Sequence, residues 1–147
     1  MGSLSCGAGM PTAHELRLRV RYSETDQMGV VHHSSYLVYL EEGRLALMRA
    51  LGFPYDEVER RGFGMAVRGV ELRYRAAARY GDELDVLTTI ERLRGASIRY
   101  GTEVRRAGDG ELLATGAVEV ACLALKEMRP VAVPDDIRTA IERHLAG

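Results

Sequence analysis

Between residues 15 and 22 apolar and polar positions alternate, with Leu16, Leu18, Val20 and Tyr22 on one side and Glu15, Arg17, Arg19 and Arg21 on the other. A period of two predicts a half-buried strand. A polar stretch, SETDQMGVVHHSS, follows and is broken by Gly29. The period then changes. Tyr36, Leu40, Gly43, Leu47 and Leu51 recur at helical spacing and Gly52 supplies a stop, which predicts one helix of about four to five turns. Val38, Tyr39, Ala46 and Met48 widen its apolar surface, and Gly43 stands where a side chain would fill the core, so other elements are expected to wrap this helix on most sides. Pro54 and Gly62 bracket a short charged connector helix, 55–61.

Strand patterns dominate the remainder. Val70, Leu72 and Tyr74 alternate with Glu71, Arg73 and Arg75; Leu84, Val86, Thr88 and Ile90 follow, then Ile98, Tyr100, Thr102 and Val104, then a long run over 112–125. Gly81-Asp82, Arg94-Gly95 and Gly108-Asp109-Gly110 supply the tight turns of antiparallel hairpins. The last run is apolar or small in both phases, which predicts cover on both faces. Met65 and Val67 are out of phase with Val70 and Leu72, so a bulge is expected near Arg68-Gly69. Pro134 then opens a terminal helix with Ile137, Ala140, Ile141 and Leu145 on its inner stripe. The order predicts an α+β architecture, a five-stranded antiparallel sheet wrapped around a long central helix. An open sheet edge in such a structure predicts dimerisation.

At 147 residues the chain suits one domain, assigned here to 14–147, with 1–13 read as a disordered leader or a remnant of cloning. Twenty Lys and Arg against 21 Asp and Glu give a net charge of -1, without the basic stripe that nucleic-acid binding needs, so no nucleic-acid partner is expected. Cys6 sits in a Gly/Ser-rich stretch and Cys122 in an apolar run, which argues against a disulfide between them and fits a reducing compartment. No run approaches the roughly 18 apolar residues of a membrane span, and the first residues lack the features of a signal peptide. A cytoplasmic protein is the expectation.

The densest mixture of ionisable and small residues is 22–36, YSETDQMGVVHHSSY, leading into the N-terminus of the long helix. Helix N-termini offer free N–H groups and a partial positive charge to a carboxylate or a developing oxyanion, and Asp26 lies just upstream of one. Taken alone, Asp26 is most simply a turn or capping residue and Gly29 a turn residue. His32 and His33 have no Cys, Glu or His partner at zinc-ligand spacing, so no metal is expected. Ser34 and Ser35 lack a G-x-S-x-G elbow and read as N-cap residues. Cys122 lies in a buried strand, where thiols are usually inert packing. Neither G-x-G-x-x-G nor G-x-x-x-x-G-K-[ST] occurs, which removes the common nucleotide folds.

Residues 22–44, YSETDQMGVVHHSSYLVYLEEGR, resemble the signature of the 4-hydroxybenzoyl-CoA thioesterase group of hotdog-fold acyl-CoA thioesterases, D-x-x-G-[VI]-V-x-[HY]-x-x-Y running into a long helix. The match has no gap, and the order of elements after it, including RYRAAARYGDEL at 73–84, agrees with that group. The resemblance implies a hotdog fold and hydrolysis of acyl-CoA without a cofactor. It makes Asp26 the catalytic carboxylate, acting as nucleophile or as general base held ionised by the helix N-terminus, and Gly29 the turn that lets backbone approach substrate. His33 would polarise the thioester carbonyl through its backbone N–H, while His32 takes no role and faces solvent. Tyr36 would pack against the substrate pocket or the Asp26 loop, or serve the core. Arg73, Arg75 and Arg79 would meet the phosphates of coenzyme A, and a homo-oligomer, dimer or tetramer, is implied. Glu41 and Glu42 read as surface partners of Arg44 or Arg49. Two rivals are a hotdog hydratase or dehydratase, whose Asn-Pro or Phe-Pro-Gly context around the histidine is absent, and a non-catalytic acyl-CoA binder.

Overall fold

A computed structural model describes residues 13–147, so the expected leader, save Ala13, and Cys6 with it lie outside the described residues. The first alternation forms β1, His14–Arg19, and its inward phase ends at the fully buried Val20. Tyr22, expected on that inner side, is exposed instead: the chain winds there into a single 3-10 turn, Tyr22–Glu24, and the Tyr22 ring meets Tyr80 edge to face at 5.8 Å.

The long helix α1 spans Ser35–Ala50 and the connector α2 spans Tyr55–Arg60. Four strands follow: β2, Phe63–Tyr74; β3, Glu83–Leu93; β4, Ser97–Arg106; and β5, Leu112–Ala124. A two-residue strand β6, Arg129–Pro130, precedes the terminal helix α3, Asp135–Ala146. All pairings are antiparallel in the order β1-β3-β4-β5-β2. β6 adds to β5 at Leu123 and Ala124, beyond the point where β4 ends, so the sheet has six strands rather than the expected five. Two residues are too few to leave a periodic signal. The register of β2 on β5 slips between Val67 and Gly69, where the change of phase predicts a bulge.

The inner sheet face and α1 share one core. Tyr36, Leu40 and Leu47 pack with Leu84, Val86, Ile98, Val104 and Val118. β5 is buried in both phases, as its pattern requires, and the thiol of Cys122 sits fully buried and is pushed up in pKa by that burial. At Gly43 α1 comes close to the sheet. A Cβ there would collide with Thr88 Oγ1 and stand 2.8 Å from Val86 Cγ1, both on stiff β-branched side chains of β3. Gly43→Ala is therefore expected to destabilise the fold. Overpacking costs about 1–3 kcal/mol, against about 1 kcal/mol gained from the better helix former, so a thermal melt should show a lower midpoint.

Cover over α1 is not complete. Leu37 and Val38 are 43% and 46% exposed, and Val67, Val70 and Tyr74 on β2 are exposed as well, because β2 is the edge of the sheet and no described element crosses it. α3 buries Ile137 and Ile141, but Leu145, expected on the same stripe, overhangs into solvent near the end of the helix. No helix among the described residues is long and apolar enough to cross a membrane.

Candidate active site

The polar stretch between β1 and α1 forms a tight, doubly pinned loop. Asp26 N–H donates to Val30 O (2.9 Å) and Gly29 N–H returns to Asp26 O (3.0 Å), closing a turn in which Gly29 takes φ +80°, a left-handed conformation natural to glycine. The Asp26 side chain reinforces this turn. Its Oδ1 accepts N–H groups from Met28 (2.8 Å) and Val30 (3.4 Å), while Oδ2 has no partner among the described residues. One short bridge, Thr25 to Val31, closes the loop on itself, and another, Val30 to Arg79, ties it to the segment after β2.

At the start of α1 the amides are almost all engaged. Those of His32, Ser35, Tyr36 and Leu37 donate to backbone carbonyls, and Ser34 N–H donates to His32 Nδ1 at 3.1 Å. The His33 N–H is the exception: it has no acceptor among the described residues. His32, expected only to face solvent, thus caps the helix with its ring while remaining exposed, and it stacks on His33 at 4.2 Å between centroids. Ser34 and Ser35 do not act as side-chain caps. Ser34 Oγ lies 2.7 Å from His32 Nδ1, and Ser35 Oγ donates to Glu24 O at 3.2 Å, because the loop folds back over the helix end and offers both hydroxyls closer partners.

One shallow hollow gathers Asp26, His33, Tyr36, Tyr74 and Arg75. Tyr36 is 3% exposed, and burial raises its hydroxyl above the usual tyrosine range; its ring meets Tyr39 and Tyr74 edge to face. It therefore serves core and hollow together. The Tyr74 hydroxyl donates to His33 O at 3.2 Å, linking the end of β2 to the start of α1. Arg73, Arg75 and Arg79 are exposed, and their guanidinium groups make no hydrogen bond or ion pair among the described residues. Only Arg75 lines the hollow. Arg79 lies beside it through its backbone bridge to Val30, whereas Arg73 falls on the strand face opposite Tyr74, outside the hollow. Glu41 makes the expected contact with Arg44, at a loose 3.9 Å.

Sequence reasoning missed the residues that hold this arrangement. Glu24 O accepts His32 N–H (2.8 Å), and its carboxylate accepts the Tyr39 hydroxyl (2.8 Å), the Arg21 N–H (2.9 Å) and Arg21 Nε (2.9 Å), tying the loop to the middle of α1. Burial works to raise the Glu24 carboxyl, but those donors outweigh it and hold it below the usual range. The buried Tyr39 hydroxyl is pushed up, first by burial and then by Glu24. On the other wall, Arg106 Nη2 donates to Ala77 O (2.8 Å) and its Nε to Asp82 (3.3 Å), which fixes the segment carrying Arg75 and Arg79. A second carboxylate two residues before Asp26 is a signal that Glu24 could have given.

The model of the thioesterase-like superfamily matches residues 20–141. The putative acyl-CoA thioesterase YneP of Bacillus subtilis is 36% identical over 114 residues, 78% of this chain and 82% of that protein. The acyl-CoA thioesterase YbgC of Haemophilus influenzae is 34% identical over 124 residues, 84% and 90% of the two chains. Among solved structures, the hypothetical protein TT1821 of Thermus thermophilus superposes with a TM-score of 0.83 at 40% identity, covering 88% of this chain and 97% of that one. The DHNA-CoA thioesterase of Staphylococcus aureus gives 0.87 at 28% identity, covering 91% of each.

Proposed function

This chain belongs to the thioesterase-like superfamily and is, by that kinship, a hotdog-fold acyl-CoA thioester hydrolase, and we propose that Asp26 and the start of α1 form its catalytic centre. The observation that carries the proposal is that Asp26 and His33 line one hollow and that a carboxylate oxygen of the first, Oδ2, and the backbone N–H of the second both lack partners among the described residues. A thioester carbonyl oxygen bound to the His33 N–H, at the positive end of α1, gains a donor aimed at the charge that develops on it.

Asp26 then acts in one of two ways. As a nucleophile, its free oxygen attacks the carbonyl carbon, the carbon–sulfur bond breaks, and the coenzyme A thiolate leaves and is protonated by solvent. Water then cleaves the mixed anhydride and restores the carboxylate. As a general base, Asp26 takes a proton from a water that attacks the same carbon. Both routes give free acid and coenzyme A and both need the carboxylate unblocked, which the lone Oδ1 contacts allow. Arg75 and Arg79, with Arg73 further along β2, supply cations for the phosphates of coenzyme A. A second copy pairing along the open edge of β2 accounts for the unpaired strand there. A dimer or a tetramer in a cytoplasmic setting completes the reading.

Thiol release from a panel of acyl-CoA thioesters, aliphatic and aromatic, tests it. Turnover of at least one member is expected and names the acyl class; tight binding of acyl-CoA without thiol release would leave a carrier or sensor in its place.

A further inference from the structure

The seam between α1 and β2 continues past the Asp26 hollow. Next along the two elements after Tyr36 and Tyr74 lies an open apolar groove, lined by Leu37, Val38, Val67 and Val70 and reaching Glu41 and Arg44. Those two residues also border a cavity of about 100 Å³ under the second half of α1, walled by Met48, Phe53, Met65 and Val120. Besides Glu41, three polar side chains interrupt its apolar lining: the Tyr55 hydroxyl, which accepts the Met65 N–H at 3.0 Å, Tyr100 and Arg44. Tyr100 is 3% exposed, and its hydroxyl makes no hydrogen bond among the described residues. The Arg44 side chain is 13% exposed, and its nearest anion, Glu41 Oε2, stands 3.9 Å away, too far for a hydrogen bond. The Glu41 side chain itself is half exposed. Burial lowers the Arg44 guanidinium below the usual arginine range. Buried donors of this kind are costly unless something accepts from them.

We propose that this cavity is a distal acyl subsite that selects acyl groups ending in a carboxylate, with Arg44 and Tyr100 as its donors. The inference rests on the reading of Asp26 and His33 as the thioester site. Arg44 lies eleven residues beyond His33 along α1, about 16 Å at the helical rise, so the acyl chain that reaches it is an extended one laid along the groove. The groove and cavity walls bury its methylenes. At the far end the carboxylate accepts from a guanidinium and a hydroxyl in an apolar setting, the arrangement in which charge-assisted bonds are strongest. The solvent-facing Glu41 gives up its loose contact with Arg44. A methyl-ended chain of equal length leaves both donors unpaired, which is how a polar pocket rejects an apolar analogue.

The test compares kcat/KM for straight-chain acyl-CoAs of matched lengths ending in methyl, hydroxyl or carboxylate, for the wild type, Arg44→Met and Tyr100→Phe, with thermal melts to verify folding. The wild type is expected to favour the carboxylate over the methyl end by about tenfold or more, the hydroxyl falling between. That ratio should drop towards one in Arg44→Met and part of the way in Tyr100→Phe, the milder change. A wild type that turns over methyl-ended chains as well as carboxylate-ended ones, or an Arg44→Met protein that keeps the preference, overturns the subsite and leaves the Asp26 reading intact. Release of coenzyme A from none of the substrates overturns both.

Discussion

His33→Pro is expected to lower kcat by about 10²–10³-fold, the usual loss when one oxyanion donor is removed, while His33→Ala loses far less. The imidazole is exposed, stacked on His32 and roughly perpendicular to the Tyr74 ring, so the side chain has little to contribute. The amide is different. It is the one N–H between His32 and Leu37 with no acceptor among the described residues, and it stands where the α1 dipole is positive. Proline deletes that single proton and is tolerated around the start of a helix. Steady-state rates for the two variants, beside melts that show both folded, decide the matter. Equal losses in both would assign the effect to the imidazole and remove the amide from the mechanism.

Asp26→Asn is expected to cost about 10²–10⁴-fold in kcat, the range for loss of a general base, with little change in melting temperature. Asparagine keeps an oxygen that can accept from Met28 and Val30, so the turn closed by Gly29 survives. What disappears is the charge and the nucleophilic or basic oxygen on the free side. Substrate affinity should change much less than turnover, because no cation among the described residues is paired to Asp26. A variant with wild-type kcat would show that the carboxylate only shapes the loop.

Much of this was legible in the chain. The alternations of 84–90 and 98–104 predict the buried faces of β3 and β4, the stripe at Tyr36, Leu40 and Leu47 finds the inner face of α1, and the phase change at Val67 finds the bulge. Gly43 in that stripe is explained by the closeness of Thr88 and Val86. The loop with Asp26, Gly29 and His33 is visible because its residues are adjacent in sequence. What stayed hidden depends on long-range placement. Val70 and Tyr74 read as an inner face, yet periodicity says which residues share a side and not whether anything covers it; at the edge strand nothing described does. The bonds of Glu24 to Tyr39 and of Arg106 to Ala77 span 15 and 29 positions, and Arg44 meets Tyr100 only once β4 is laid against α1. His32 as a cap escaped notice because serine is the commoner cap and a ring nitrogen reaches the amide only in one rotamer.

The most direct test of the central claim is a product balance on the wild type: coenzyme A and free acid counted together, over many equivalents of an acyl-CoA that it accepts. Catalytic hydrolysis gives the two products in equal amounts, accumulating far beyond one per protein chain. Release that stops at one equivalent, or acyl-CoA recovered intact from a stable complex, would contradict it.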